Sequence, residues 1–277
     1  MVDPLLNTRL NRRHALRAFG GLGVAALVAA CADEGTELRP EAPGSASNTS
    51  LQRSSTPSTA VATPTSVFAN DYSATTGQQI PFETAGPFPA DGSNGPNVLT
   101  ELDVVRRDIT RSFAGNSGQA AGLPVALSLR IVDVSSGEPL AGSAVYLWHC
   151  TADGRYSIYE IGDQNYLRGV QVADETGVVT FDTIFPGCYG GRWPHCHFEV
   201  FDSLDVATSG RVARQTSQLA LPEVACREVY ANGLYGNSSS NLDRLSLSRD
   251  MVFRDGWDDQ LATVDLERST VDLLVRV

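Results

Sequence analysis

Lysine is absent from this chain of 277 residues, so its 21 basic side chains are all arginine, and 32 acidic ones outnumber them. A formal net charge of −11 argues against nucleic acid or a bare anionic membrane surface as partner, since both demand clustered positive charge. Solubility accounts for the excess of acid. Long apolar runs are missing as well: the one candidate, residues 18–30, falls short of the about 20 apolar residues that a spanning helix needs. Long amphipathic periodicity at helical spacing is scarcely present, which sets helix bundles aside. The five cysteines include no C-x-x-C pair, so a structural zinc site of that kind is excluded. Histidine is scarce, four in all, and the place of each one is therefore informative.

What is present divides the chain into three. Asn11-Arg12-Arg13-His14-Ala15-Leu16-Arg17 is a twin-arginine n-region, residues 18–30 form the apolar stretch behind it, and Leu27-Val28-Ala29-Ala30-Cys31 resembles a bacterial lipoprotein cleavage box. Residues 1–30 are expected to be an export signal, with Cys31 lipidated as the first mature residue. The protein is then extracytoplasmic and meets the membrane through that anchor alone. Residues 1–30 hold four arginines and Asp3, so the remainder carries 17 basic against 31 acidic residues, a net of −14. Residues 31–76 are rich in Ser, Thr, Pro, Ala and Gly with few aromatics, and cannot bury enough apolar surface to offset the entropy of ordering. They read as a flexible tether.

From residue 77 to 277 short apolar runs alternate with turn residues. Residues 125–131 alternate with period two, and 144–150 form the next strand, with Tyr146 and Trp148 on one face and Val145, Leu147 and His149 on the other. Residues 169–173 and 178–184 bracket Asp174-Glu175-Thr176-Gly177 and predict a hairpin; 260–266 and 270–277 predict another. The clearest helix is 222–230, with proline at its start and Asn232-Gly233 past its end. The fold class is all-β: a β-sandwich of mostly antiparallel strands with long loops and one or two short helices.

Three histidines follow the export signal, and two form His195-Cys196-His197. On a strand both project from one face, about 6–7 Å apart at the backbone, and suit two ligands on one ion. An H-x-H pair alone is a weak signal. Its company strengthens it: Arg192 precedes it, Tyr189 sits in a glycine-bearing loop, and Tyr156 follows Asp153-Gly154, where a turn can bring it to the same end of the sandwich. Tyr146 and Tyr166 read as core aromatics. Four cysteines besides Cys31 allow three disulfide connectivities in an oxidising compartment, and sequence does not choose among them.

W-H-x-x-x-x-G-x-Y-S from Trp148, then Leu167-Arg168-Gly169-Val170-Gln171, then T-x-F-P-G-x-Y-x-G-R-x-P-H-x-H from Thr183, taken in that order, resemble the intradiol ring-cleavage dioxygenases, the group that contains the protocatechuate and catechol dioxygenases. Thr84-Ala85-Gly86-Pro87-Phe88 and Val105-Arg106-Arg107-Asp108-Ile109 fit the same pattern, and the exported bacterial branch fits best. The resemblance implies a non-haem Fe(III) ligated by Tyr156, Tyr189, His195 and His197. Its reaction places both atoms of O2 into a catecholic substrate and opens the ring between the hydroxylated carbons. The tyrosine matching Tyr189 leaves the iron and takes a proton as substrate binds, so it counts as catalytic too. Arg192 stabilises carbanion character on the ring. Gln218 orients the site, with Gln215 not excluded, and Gly86, Pro87 and Phe88 wall the substrate. Cys188 and Cys226 are the candidate disulfide that staples the loop, and His149 reads as structural.

Two other readings compete. A tethered, non-catalytic β-sandwich binding module leaves the H-x-H pair without a ferric role. A ferrous facial triad needs a carboxylate beside two histidines; Glu199 has the parity for it, but both tyrosines then go unexplained.

Overall fold

The computed structural model describes residues 77–277; the export signal, the tether and Cys31 lie outside the described residues. Eight strands, β1 (Pro124–Val132), β2 (Ala144–Trp148), β3 (Arg168–Val172), β4 (Val178–Ile184), β5 (His195–Phe201), β6 (Gln215–Ala220), β7 (Thr263–Asp265) and β8 (Thr270–Arg276), make two four-stranded sheets ordered β4-β1-β8-β7 and β3-β2-β5-β6. Every pair within them is antiparallel except β1 with β8. The expected sandwich is borne out. Three short helices accompany it among the described residues: α1 (Leu204–Thr208), α2 (Glu223–Tyr230) and α3 (Ser238–Leu242). Pro222 stands at the N-cap of α2 in extended conformation, as its lack of an N–H favours.

Alternate residues of each strand meet between the sheets. Leu127, Leu129 and Ile131 of β1 and Phe181 of β4 face Leu147 of β2 and Cys196, Phe198 and Val200 of β5 in one buried cluster. Each fully buried large apolar side chain there contributes about 1.5–3 kcal/mol. Residues of opposite parity form a second cluster on the outer face of the β3-β2-β5-β6 sheet: Tyr146 and Trp148 of β2, Val170 of β3 and Phe201 of β5 pack under Ala90, Leu99, Phe113 and Tyr156. Loops therefore roof that face, and all seven residues of β5 are buried. The functional residues lie beneath this roof.

The expected hairpin around Asp174-Glu175-Thr176-Gly177 does not form. Asp174 Oδ1 accepts from the N–H of Thr176 and of Val178, so the turn is tight, yet β3 and β4 belong to different sheets. A further segment closes the seam between them. Val170 donates to the Val104 carbonyl at 2.8 Å and Arg106 to that of Val170 at 3.0 Å, after which Asp182 donates to Arg107 at 2.9 Å and Ile109 to Asp182 at 3.0 Å. The second predicted hairpin forms, but its first strand is only β7. Gln260 and Ala262 are drawn instead to Ala220 of β6 through backbone hydrogen bonds of 2.8 and 2.9 Å.

Candidate metal centre

Strand β5 turns His195 and His197 to the roofed face, where 2% and 3% of their surfaces remain exposed. Their Nε2 atoms are 3.1 Å apart. The loop before β5 delivers Tyr189, whose hydroxyl lies 3.3 Å from His195 Nε2. Tyr156 arrives from the turn after β2, with its ring centroid 5.8 Å from that of Tyr189 and 6.2 Å from that of His197. Gly154 permits this meeting. Its φ is +83°, and a Cβ there would stand 2.9 Å from Cβ of Tyr189, so only glycine both turns the chain and lets the two tyrosine segments approach. The four residues proposed as ligands thus converge on one point.

The donor chemistry fits a cation. The Trp193 carbonyl 2.5 Å from His195 Nδ1 holds the ring hydrogen there and leaves the Nε2 lone pair facing His197. Burial, then the neighbouring Arg192, pushes the His195 pKa down to about 3. Burial and His195 drive that of His197 well below the usual range. Both imidazoles are therefore neutral, the form in which a ring nitrogen can bind a metal. Burial raises the Tyr189 phenol to about 12, and burial with Tyr189 alongside raises Tyr156 well above its ordinary value. Ionising either phenol in so dry a place calls for a compensating positive charge. The Tyr156 hydroxyl is buried with no well-formed hydrogen bond, only the Tyr189 phenol alongside it, and a metal would satisfy it. Two donors each about 2 Å from one ion lie about 3 Å apart, close to the 3.1 and 3.3 Å separations here. Two phenolates with two imidazoles form a hard, anionic set suited to Fe(III).

Around the donors, Trp148 stacks on His197 at 4.9 Å and 5°, and Tyr146 stacks on Trp148 at 4.9 Å. Phe88 packs on Tyr156 at 4.8 Å. Gly86, with φ +70°, lies where a Cβ would reach 3.3 Å from His197 Cε1, so the 84–88 strap crosses directly over the imidazole. Arg192 Nη2 donates to Gln218 Oε1 at 2.7 Å, and Gln218 Nε2 donates to the Thr84 carbonyl at 2.8 Å. Gln218 is therefore the glutamine beside Arg192. Gln215 binds Gln79 and the Ile80 and Pro81 carbonyls instead, as its opposite strand parity requires.

Sequence reasoning missed Asp250. Its fully buried carboxylate accepts from Arg192 Nε at 3.0 Å, from the Trp193 N–H at 2.7 Å and from the Val252 N–H at 2.8 Å. Burial works to raise its pKa, but the Trp193 N–H, Arg192 and the Val252 N–H outweigh it and hold the carboxyl below its ordinary 3.8. Its stabilisation is complete above that value and fades as the pH falls through the folded-state pKa. Removing one partner of a buried pair costs about 3–5 kcal/mol, so Asp250→Ala is expected to lower the unfolding free energy obtained from urea titration by that order. A variant as stable as wild type would show that the pair contributes no such stabilisation.

The remaining assignments resolve individually. His149 faces the other way, bonded to the Cys150 carbonyl and to Thr183 Oγ1 at 2.8 and 2.7 Å, a structural role as expected. Tyr159 donates to Asn94 at 2.7 Å and accepts from the Ala90 N–H at 2.9 Å, so its hydroxyl is satisfied away from the cluster. Cys188 and Cys226 are not joined: all four described cysteines are free thiols, and Cys188 Sγ points into its own loop, at 3.9 and 3.8 Å from the Tyr189 and Arg192 carbonyls. Glu199 accepts from Thr216, while burial and Asp91 lift its pKa to about 7. Among the described residues no three of His, Cys, Asp and Glu gather around a metal position, so the facial triad is not assembled.

A two-sheet sandwich carrying a roofed cluster of two tyrosines and two histidines is the class that fold and site define. A family model described as dioxygenase matches residues 94–213, the span that holds all four clustered residues and Arg192. A chlorocatechol 1,2-dioxygenase of Rhodococcus opacus is 40% identical over 57 residues, 20% of this chain and 22% of that protein. A catechol 1,2-dioxygenase of Pseudomonas sp. (strain EST1001) is 33% identical over 57 residues, 20% of this chain and 19% of that one. The chain matches about a fifth of the length of these curated relatives. An intradiol ring-cleavage dioxygenase from Tetranychus urticae shares the fold, with a TM-score of 0.57 and 24% identity over 72% of this chain and 94% of that chain. These matches bear out the resemblance to the intradiol ring-cleavage dioxygenases that the motifs carry.

Proposed function

We propose that the chain is an intradiol ring-cleavage dioxygenase: it holds a non-haem Fe(III) through Tyr156, Tyr189, His195 and His197 and adds both atoms of O2 to a catecholic aromatic, giving a muconic-type diacid. The observation that carries this reading is the meeting of two neutral imidazole nitrogens with two buried phenols, one of them without any other partner. When bound, the ferric ion supplies Lewis acidity and readies the catecholate for O2. Tyr189 is the less buried of the two tyrosines, and as the phenolate it would be with a ferric ion bound its oxygen could take a proton from an incoming catechol hydroxyl and become the neutral phenol. Arg192 is held from one side by Asp250 and from the other by Gln218. Its guanidinium is thereby a preorganised charge for the negative character that develops on the ring. Trp148 and Phe88 keep water away from the donors.

Oxygen uptake by the iron-loaded protein over a panel of catechols, with the product mass, tests the proposal. One O2 consumed per catechol and a product heavier by both oxygen atoms that is a diacid supports it; no uptake across the panel, or the isomeric yellow semialdehyde as product, overturns it. The proposal extends to location. We propose further that residues 1–30 are an export signal, that Cys31 carries a lipid and that residues 31–76 are a tether, which would put this chemistry outside the cytoplasm. The mass of the mature N-terminal peptide tests that, and an unprocessed N-terminus contradicts it.

A further inference from the structure

We infer that Arg168 is a positioning residue, a buried cation that locks the Tyr156 turn and the Phe88 strap into one unit behind the metal centre. Arg168 opens β3, is 0% exposed, and spreads its guanidinium over neutral oxygens rather than a carboxylate. Nε donates to Ser157 Oγ at 3.0 Å and Nη2 to the Ser157 carbonyl at 3.0 Å. Nη1 donates to the Phe88 carbonyl at 2.8 Å, the Pro89 carbonyl at 3.2 Å and the Tyr146 hydroxyl at 3.4 Å. Ser157 directly follows Tyr156, and Phe88 packs on the Tyr156 ring. Tyr146, which itself donates to the Pro89 carbonyl at 2.7 Å, begins the stack that runs through Trp148 to His197. One side chain therefore touches the ligand turn, the strap and the foot of the aromatic stack.

A buried charge without an ion-pair partner is expensive and persists only where its donors are filled. Arginine suits the place because its rigid fork serves several acceptors at once and is weakly hydrated. The backbone points the same way. Ile158 and Leu167 adopt φ of +74° and +57°, a region that non-glycine residues enter only when their surroundings dictate it. They flank Ser157 and Arg168, the two residues that the guanidinium joins. Nothing places Arg168 in contact with substrate; it acts through Tyr156 and Phe88.

Hydrogen exchange of the iron-free protein tests this, with peptides covering 85–90 and 155–160 compared against β1 and β8. Arg168→Met is expected to speed exchange in both segments together by about tenfold or more while the β1 and β8 peptides keep their protection. Arg168→Lys, which retains a charge without the fork, is expected to loosen the same two segments. Should both variants fail to fold, Ser157→Ala removes the Nε contact, together with the Ser157 Oγ bond to the Tyr166 carbonyl, while Nη2 keeps the Ser157 carbonyl, and it is expected to loosen both segments by a smaller factor. Either segment unchanged in a folded Arg168 variant, both unchanged in Ser157→Ala, or full protection restored by lysine would overturn the inference. In iron-loaded Arg168→Met the visible band is expected to move, because Tyr156 no longer sits where its turn held it. Only this last readout rests on the proposed metal centre. A colourless wild type would count against the iron, whereas exchange that stays uncoupled from Arg168 would count against the positioning role.

Discussion

Tyr156→Phe is expected to give a protein that is folded, colourless and nearly free of iron. The two effects have opposite signs for a physical reason. Without metal the Tyr156 hydroxyl is a buried polar group with no well-formed hydrogen bond, only the Tyr189 phenol alongside it, and leaving such a group unsatisfied costs up to about 1–3 kcal/mol. Replacing it by hydrogen in an otherwise unchanged ring removes that penalty, so the iron-free variant should unfold at a higher urea concentration than iron-free wild type. With metal the same oxygen is an anionic ligand, and its loss removes both a bond and half of the phenolate charge that balances the ion. Tyr159→Phe is the control. Its hydroxyl binds Asn94 and the Ala90 N–H, so the change should lower stability and spare the colour. Unchanged colour and iron content in Tyr156→Phe would show that the phenol is not a ligand.

Arg192→Ala is expected to reduce kcat for catechol cleavage by about a hundredfold to a thousandfold, the range for removing one preorganised charge, while iron content and colour stay near wild type. The guanidinium lies outside the donor set, with hydrogen bonds to Asp250 and Gln218 fixing its plane. A lysine ammonium is a point charge without the planar fork that reaches Asp250 through Nε and Gln218 through Nη2, so Arg192→Lys should recover little of the rate. The Asp250 carboxylate keeps the N–H groups of Trp193, Val252 and Phe253 when Arg192 is gone, and the fold should therefore survive the change. Stopped-flow kinetics of a single turnover separates the outcomes. A variant that cleaves at the wild-type rate would contradict the role, and one that loses its colour would make Arg192 a support of the metal instead.

Much of this centre was legible in the sequence because strand parity is a strict rule. His195 and His197 had to share a face, Cys196 had to point between the sheets, and Trp148 had to oppose His149; the structure shows each of these. The sandwich followed from short alternating runs and turn residues. Other features depend on distance in space. The crossing of β3 into β4 looks like a hairpin locally, since Asp174 closes the same tight turn either way. The roofed outer face was hidden because strands covered on both sides lose the alternation that marks one buried face. Asp250 stands 58 residues from Arg192, and nothing near it announces a partner. Arg168 read as part of a motif, but that its charge lies fully buried among carbonyls appears only once β3, the strap and the Tyr156 turn are assembled. Motif spacing separates Tyr156 from Tyr159, but what each hydroxyl touches emerges only from the fold.

The central claim is that Tyr156, Tyr189, His195 and His197 form a ferric site, and the visible spectrum of the purified protein together with its iron content tests it most directly. After loading with ferrous iron in air, the account expects about one iron per chain and the burgundy to red-brown absorption of tyrosinate bound to Fe(III). A colourless protein that takes up no iron under those conditions would contradict it.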